Sequence, residues 1–165
     1  MAELPPPAPP LALTEAQLAG WREDGYIVLP DFACAGEVAA LLGAGRALVA
    51  GFEPSSNPSV FSTVRQTETS DEYFLRSSDA IHFFLEEGVT DADGRLNRAK
   101  EAAVNKVGHA LHELDPTFTS WTRAPRVGSL LRQLGVASPV AQQSMLILKG
   151  PEVGGVVVPH QARAH

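Results

Sequence analysis

The valine run Val156-Val157-Val158 leads through Pro159 to His160, and a histidine at such a strand end has a definite chemical use. Paired with an acidic residue two positions on, it supplies two of the three protein ligands of a facial, non-haem iron centre. Two positions after His160 stands Ala162, so the spacing carries the imidazole without its carboxylate. On spacing alone, His160 is either an exposed strand-end residue or the first half of such a pair, and His165 adds little to it. Glu152 is the one nearby carboxylate that could stand in for the missing ligand.

A second group of chemically able residues is Lys106, His109 and His112. The apolar positions Ala103, Val107, Ala110, Leu111 and Leu114 recur as on one face of a helix, so the sequence predicts a helix over 103–114 ended by Asp115-Pro116. Its other side presents Asn105, His109 and His112, with Lys106 on the flank. The two histidines at i, i+3 are half of a metal site or hydrogen-bonding supports, and no partner at a suitable spacing completes the former. Lys106 is a snorkelling surface charge or, aimed into a cleft, a holder of an acidic ligand. Asp91-Ala92-Asp93-Gly94 faintly resembles a calcium loop but lacks the further acidic positions, so an ordinary turn is expected. Cys34, the only cysteine, excludes an intramolecular disulfide and is expected to pack.

The elements that must position these groups follow from local signals. Residues 1–12 are proline-rich and read as a mobile leader. Thr14-Glu15-Ala16-Gln17 matches a capping box, predicting a helix to Asp24 stopped by Gly25, with Tyr26–Leu29 as a strand after it. A second helix is expected within 36–49 from Val38, Leu41, Leu42, Leu48 and Val49, despite Gly43 and Gly45. Residues 51–70 read as a long Ser/Pro/Thr loop. Tyr73–Leu75 and Ile81–Leu85 read as strands around a Ser-Ser-Asp turn. Val127, Leu130, Leu131 and Leu134 mark a short helix closed by Gly135, and Ser144–Leu148 a strand before the valine run.

Composition bounds the rest. The 165 residues are 44% hydrophobic, enough for a globular core, and carry 13 basic against 19 acidic side chains for a net charge of -6. With no basic run, neither nucleic acid nor an anionic membrane is expected as a partner, and no stretch has the ~18 apolar residues of a membrane span. No secretory signal is visible at the start, so a cytoplasmic location is expected; the oligomeric state is not legible.

The run Gln17-x3-Trp21-x2-Asp24-Gly25-Tyr26-Ile27-Val28-Leu29-Pro30-Asp31-Phe32 resembles the opening of the phytanoyl-CoA dioxygenase family. The likeness continues through Tyr73–Phe84, Asn105–His112, Gln143–Met145 and Pro159–Gln161. It implies an Fe(II)- and 2-oxoglutarate-dependent dioxygenase acting on a small molecule, built on a double-stranded β-helix, a cupin-like jelly roll. Carried over by motif, His160 is the first iron ligand, while Lys106, Met145 and His160 line the 2-oxoglutarate pocket. The family's Asp is replaced by Ala162, and its second iron histidine and its carboxylate-pairing arginine would fall after His165. Losing even an outer-shell partner costs ~10–100-fold in metal affinity, so tight iron binding is not expected of these residues. The expectation is therefore an α+β chain: N-terminal helices plus the first strands of an incomplete jelly roll over 13–165, shortened just after the first iron-ligand histidine. It would be inactive by itself, or a non-catalytic module that pairs through an open sheet edge.

Overall fold

The computed structural model describes residues 11–54, 73, 76–93, 95–150 and 154. The chain divides into two compact units: Met1–Ala44 with His112–Gln142, and Gly45–Leu111 with Gln143–His165. Helices and a small antiparallel sheet together make it α+β. Among the described residues no helix is long and apolar enough to cross a membrane.

The first unit is helical. Helix α1 (Glu15–Asp24) has the capping box its sequence signals: the Gln17 backbone N–H donates to Thr14 Oγ1 at 3.2 Å, and Gln17 Oε1 accepts from the Thr14 N–H at 2.9 Å. Gly25 ends it at φ 79°, a left-handed conformation open to glycine. Helix α2 (Ala35–Gly51) begins in this unit, where Glu37 Oε2 reaches back to accept from the Cys34 N–H at 2.9 Å. Two further helices follow, α5 (Pro116–Thr122) and α6 (Pro125–Gln133). They are preceded by α4 (Leu111–Leu114), whose first residue belongs to the second unit. The buried fixture here is an ion pair, Arg126 Nη2 to Glu37 Oε1 at 2.6 Å, with the guanidinium 5.2 Å from the Phe32 ring centroid.

The second unit is built on a three-stranded sheet in the order β1-β2-β3, with β1 Ile81–Leu85, β2 Val104–His109 and β3 Ser144–Ile147. Both pairings are antiparallel, Phe84 opposite Lys106 and Lys106 opposite Ile147. One face carries Phe83, Val107 and Leu146. Against it lie Phe52, stacked on Phe83 at 4.4 Å, and Gly45 of α2, where a Cβ would overlap the Leu146 side chain. A 3-10 turn (Arg76–Asp79) precedes β1, and a short α3 (Lys100–Ala103) leads into β2.

Several sequence expectations are corrected. The predicted helix over 103–114 is, for half of its length, the central strand, and all six residues of β2 are buried. A strand covered on both sides loses its two-residue alternation, and its near-continuous burial then imitates a helical pattern. Asp115-Pro116, read as a stop, starts α5: Asp115 Oδ1 caps the N–H groups of Thr117 and Phe118, and Pro116 fits the first helical turn. Tyr26–Leu29 has β-forming residues but no ladder, and Tyr26 and Val28 are exposed. Tyr73 is helical rather than extended, while Phe74 and Leu75 lie outside the described residues. Cys34 is exposed rather than packed. At the leader's end, Gln133 holds Leu11 and Leu13 through its side-chain amide, whereas residues 1–10 lie outside the described residues. So does most of the expected 51–70 loop, and so does the valine run.

Candidate functional site

The strand register collects the polar groups on the sheet face opposite Val107. Residues directly across an antiparallel ladder share a face, so His82 and Phe84 of β1, Lys106 and Gly108 of β2, and Met145 and Ile147 of β3 lie together. Lys106 and Met145, which the sequence pairs only through a family likeness, thus stand on one face. Gly108 lets β3 lie close to β2: a Cβ there would sit 3.1 Å from the Ser144 carbonyl oxygen and 3.3 Å from Met145 Cγ.

Around Lys106 the surroundings are aromatic and imidazole-rich. Its Nζ lies 4.9 Å from the Phe84 ring centroid, and the residue is only 5% exposed. Burial lowers its pKa from 10.5 to about 8. His109 closes one side: the Gly108–His109 peptide is cis, and the imidazole packs 5.5 Å from Phe84. Its Nδ1 shares a 2.6 Å hydrogen bond with Ser77 Oγ, itself buried in the 3-10 turn. Burial, helped by the charges of Lys106 and His82, pushes His109 down to about 4, so near neutral pH it is an uncharged hydrogen-bonding group. Tyr73 stacks on His82 at 3.9 Å, and its hydroxyl accepts from the Phe83 N–H at 3.0 Å.

His109 therefore serves the hydrogen-bonding role that the sequence left open beside metal ligation. It does not share a helix with His112, because β2 ends between them. Among the described residues no group of three His, Cys, Asp or Glu side chains could hold a metal ion. The Asp91 turn is an ordinary one, with Asp91 Oδ1 accepting from the Asp93 and Arg95 N–H groups. Glu152, His160, Ala162 and His165 lie outside the described residues. Sequence reasoning missed Ser77, Tyr73 and His82 as members of this cluster. Only His82, a polar residue inside the apolar run Ile81–Leu85, left a signal.

The profile of the phytanoyl-CoA dioxygenase (PhyH) family matches residues 21–165. A phytanoyl-CoA dioxygenase of Arabidopsis thaliana is 43% identical over 150 residues, covering 91% of this chain and 53% of its own length. Phytanoyl-CoA dioxygenase 1 of Oryza sativa subsp. japonica is 44% identical over the same coverage. The phytanoyl-CoA dioxygenase domain-containing protein 1 of Mus musculus is 42% identical over 154 residues, 90% of this chain and 53% of its own. The chain spans about half the length of the curated relatives it matches.

Proposed function

Because the chain belongs to the phytanoyl-CoA dioxygenase family, we propose that it carries the acid-binding wall of an Fe(II)- and 2-oxoglutarate-dependent dioxygenase acting on a small molecule, on part of a double-stranded β-helix. The observation that supports this reading is the sheet face shared by Lys106 and Met145, on which the buried Lys106 lies near an imidazole that is uncharged at neutral pH.

Iron and the keto acid together supply the oxidising chemistry of such an enzyme. The described residues fit one of the two. A buried lysine suits a carboxylate, since a charge-assisted hydrogen bond gains strength where water is excluded. Met145 supplies a soft, adaptable wall for the acid's carbon chain. His109, held by Ser77 and kept neutral, keeps a second positive charge away from Lys106 near neutral pH. Iron does not fit the described residues, and His160 with Ala162 offers one ligand of a facial set. On this reading the described residues supply the acid-binding half of the chemistry and not the iron-binding half. Purified chain given Fe(II) and 2-oxoglutarate should release no succinate above a protein-free control; sustained succinate release would overturn that half of the proposal.

A second reading, a non-catalytic module pairing through the sheet edge, draws on β3. Among the described residues it is an edge strand, with Met145 and Ile147 46% and 48% exposed. Sedimentation of the pure chain decides it: a concentration-independent monomer counts against self-pairing.

A further inference from the structure

The helical unit holds a cleft of about 1120 Å³ that shares no residue with the sheet face around Lys106. It is formed because Gly135, at φ 90°, ends α6 in a left-handed turn that only glycine adopts freely, and the following segment to Gln142 lines the same cleft as α6. The walls are mainly apolar: Val127 and Leu131 come from α6, Val136 and Val140 from the segment after it. Val140 is 79% exposed, far more than a packed valine would be.

Two arginines line this cleft, and they differ. Arg123 is neutralised, its Nη2 2.7 Å from both carboxylate oxygens of Glu113. Arg132 makes no ion pair among the described residues. Its Nη1 lies back over α6 beside Gly128, 3.5 Å from where a Cβ there would be, so a side chain larger than alanine at Gly128 would crowd the guanidinium, and both residues line the cleft. A cleft of this volume accommodates a small ligand, and such sites combine apolar walls with few polar anchors.

We propose that this cleft binds a small amphipathic monoanion, with a carboxylate head on Arg132 and an apolar body along Val127, Leu131, Val136 and Val140. One unpaired guanidinium matches one negative charge, and a planar carboxylate meets it through two N–H donors. The site is independent of the reading of Lys106.

Three probes separate the parts of the idea in calorimetric or NMR titrations of the full chain: octanoate, 1-octanol and acetate. Octanoate should saturate, with 1-octanol and acetate each at least about ten-fold weaker, a difference of ~1.4 kcal/mol. Arg132→Gln, an exposed change, should weaken octanoate about ten-fold and leave 1-octanol unaltered. Gly128→Leu, favourable to the helix, should fill the floor and weaken octanoate as well, while Lys106→Met should leave its affinity unchanged. Equal binding of octanoate and 1-octanol, no saturation by octanoate, or an Arg132→Gln chain that binds octanoate normally would overturn the proposal.

Discussion

The Arg126–Glu37 pair ties the start of α2 to α6 and allows a quantitative test. The two side chains are 2% and 8% exposed, and their contact is 2.6 Å. Among the described residues Arg126 Nε and Nη1 have no hydrogen-bond partner, and the guanidinium meets one carboxylate and the rings of Phe32 and Trp121, 5.2 and 6.0 Å away. Removing one partner of a buried pair strands the other charge and costs ~3–5 kcal/mol, whereas replacing both with apolar residues is often near neutral. The ring contacts are worth ~1–2 kcal/mol when desolvated, and apolar side chains would keep part of that as packing. Glu37→Leu should be the costlier single change, because it also removes the acceptor for the Cys34 N–H, a helix-cap bond worth ~1 kcal/mol. We expect ~4 kcal/mol for Glu37→Leu, ~3 kcal/mol for Arg126→Met, and a double variant within ~1–2 kcal/mol of the parent. Urea unfolding followed by circular dichroism, read at unchanged slope, measures all three. Singles that cost under ~1 kcal/mol, or a double whose cost is the sum of the singles, would refute a tightly coupled buried pair.

Other outcomes follow from the same geometry. Gly45→Val should destabilise the chain by ~1–3 kcal/mol through overlap with Leu146, whereas Gly43→Ala, with open space at its Cβ, should be neutral or stabilising; thermal melts compare them. His109 has a folded-state pKa near 4 against 6.5 unfolded, so between those values the unfolded chain binds a proton the folded one refuses. Stability should be flat just above pH 6.5 and fall as pH drops toward 4, by at most a few kcal/mol, since each pH decade between the two values is worth ~1.4 kcal/mol. His109→Gln should flatten that window in urea titrations. Glu37, held below its ordinary value by Arg126, contributes stability that is present above about pH 4.5 and lost as pH falls through its folded value. Glu37→Gln should remove that acid-side loss.

The legible parts of the fold were those with local chemistry. Thr14, Gln17 and Gly25 announced α1 at both ends, and Gly135 announced the end of α6. What failed was decided by neighbours distant in sequence. Val104, Val107 and Gly108 suit a strand, but the spacing of Ala103, Ala110, Leu111 and Leu114 suits a helix equally, and only pairing with β1 and β3 resolves it. Tyr26–Leu29 shows the converse: β propensity that finds no ladder among the described residues leaves a non-strand segment with Tyr26 and Val28 exposed. The same holds for the site. Lys106 and Met145 were named through family likeness, yet their common face follows from ladder register. The Ser77–His109 bond joins residues 32 apart in sequence, which no spacing rule reaches.

The most direct test is a titration with 2-oxoglutarate observed at the methionine methyl groups. The chain has two methionines, so the Met145 signal needs only to be told from that of Met1. The account predicts a saturable, millimolar-range shift of the Met145 methyl alone, abolished in Lys106→Leu and weakening as pH rises through about 8, where Lys106 loses its charge. A Met145 signal that does not move, or that moves equally in Lys106→Leu, would contradict it.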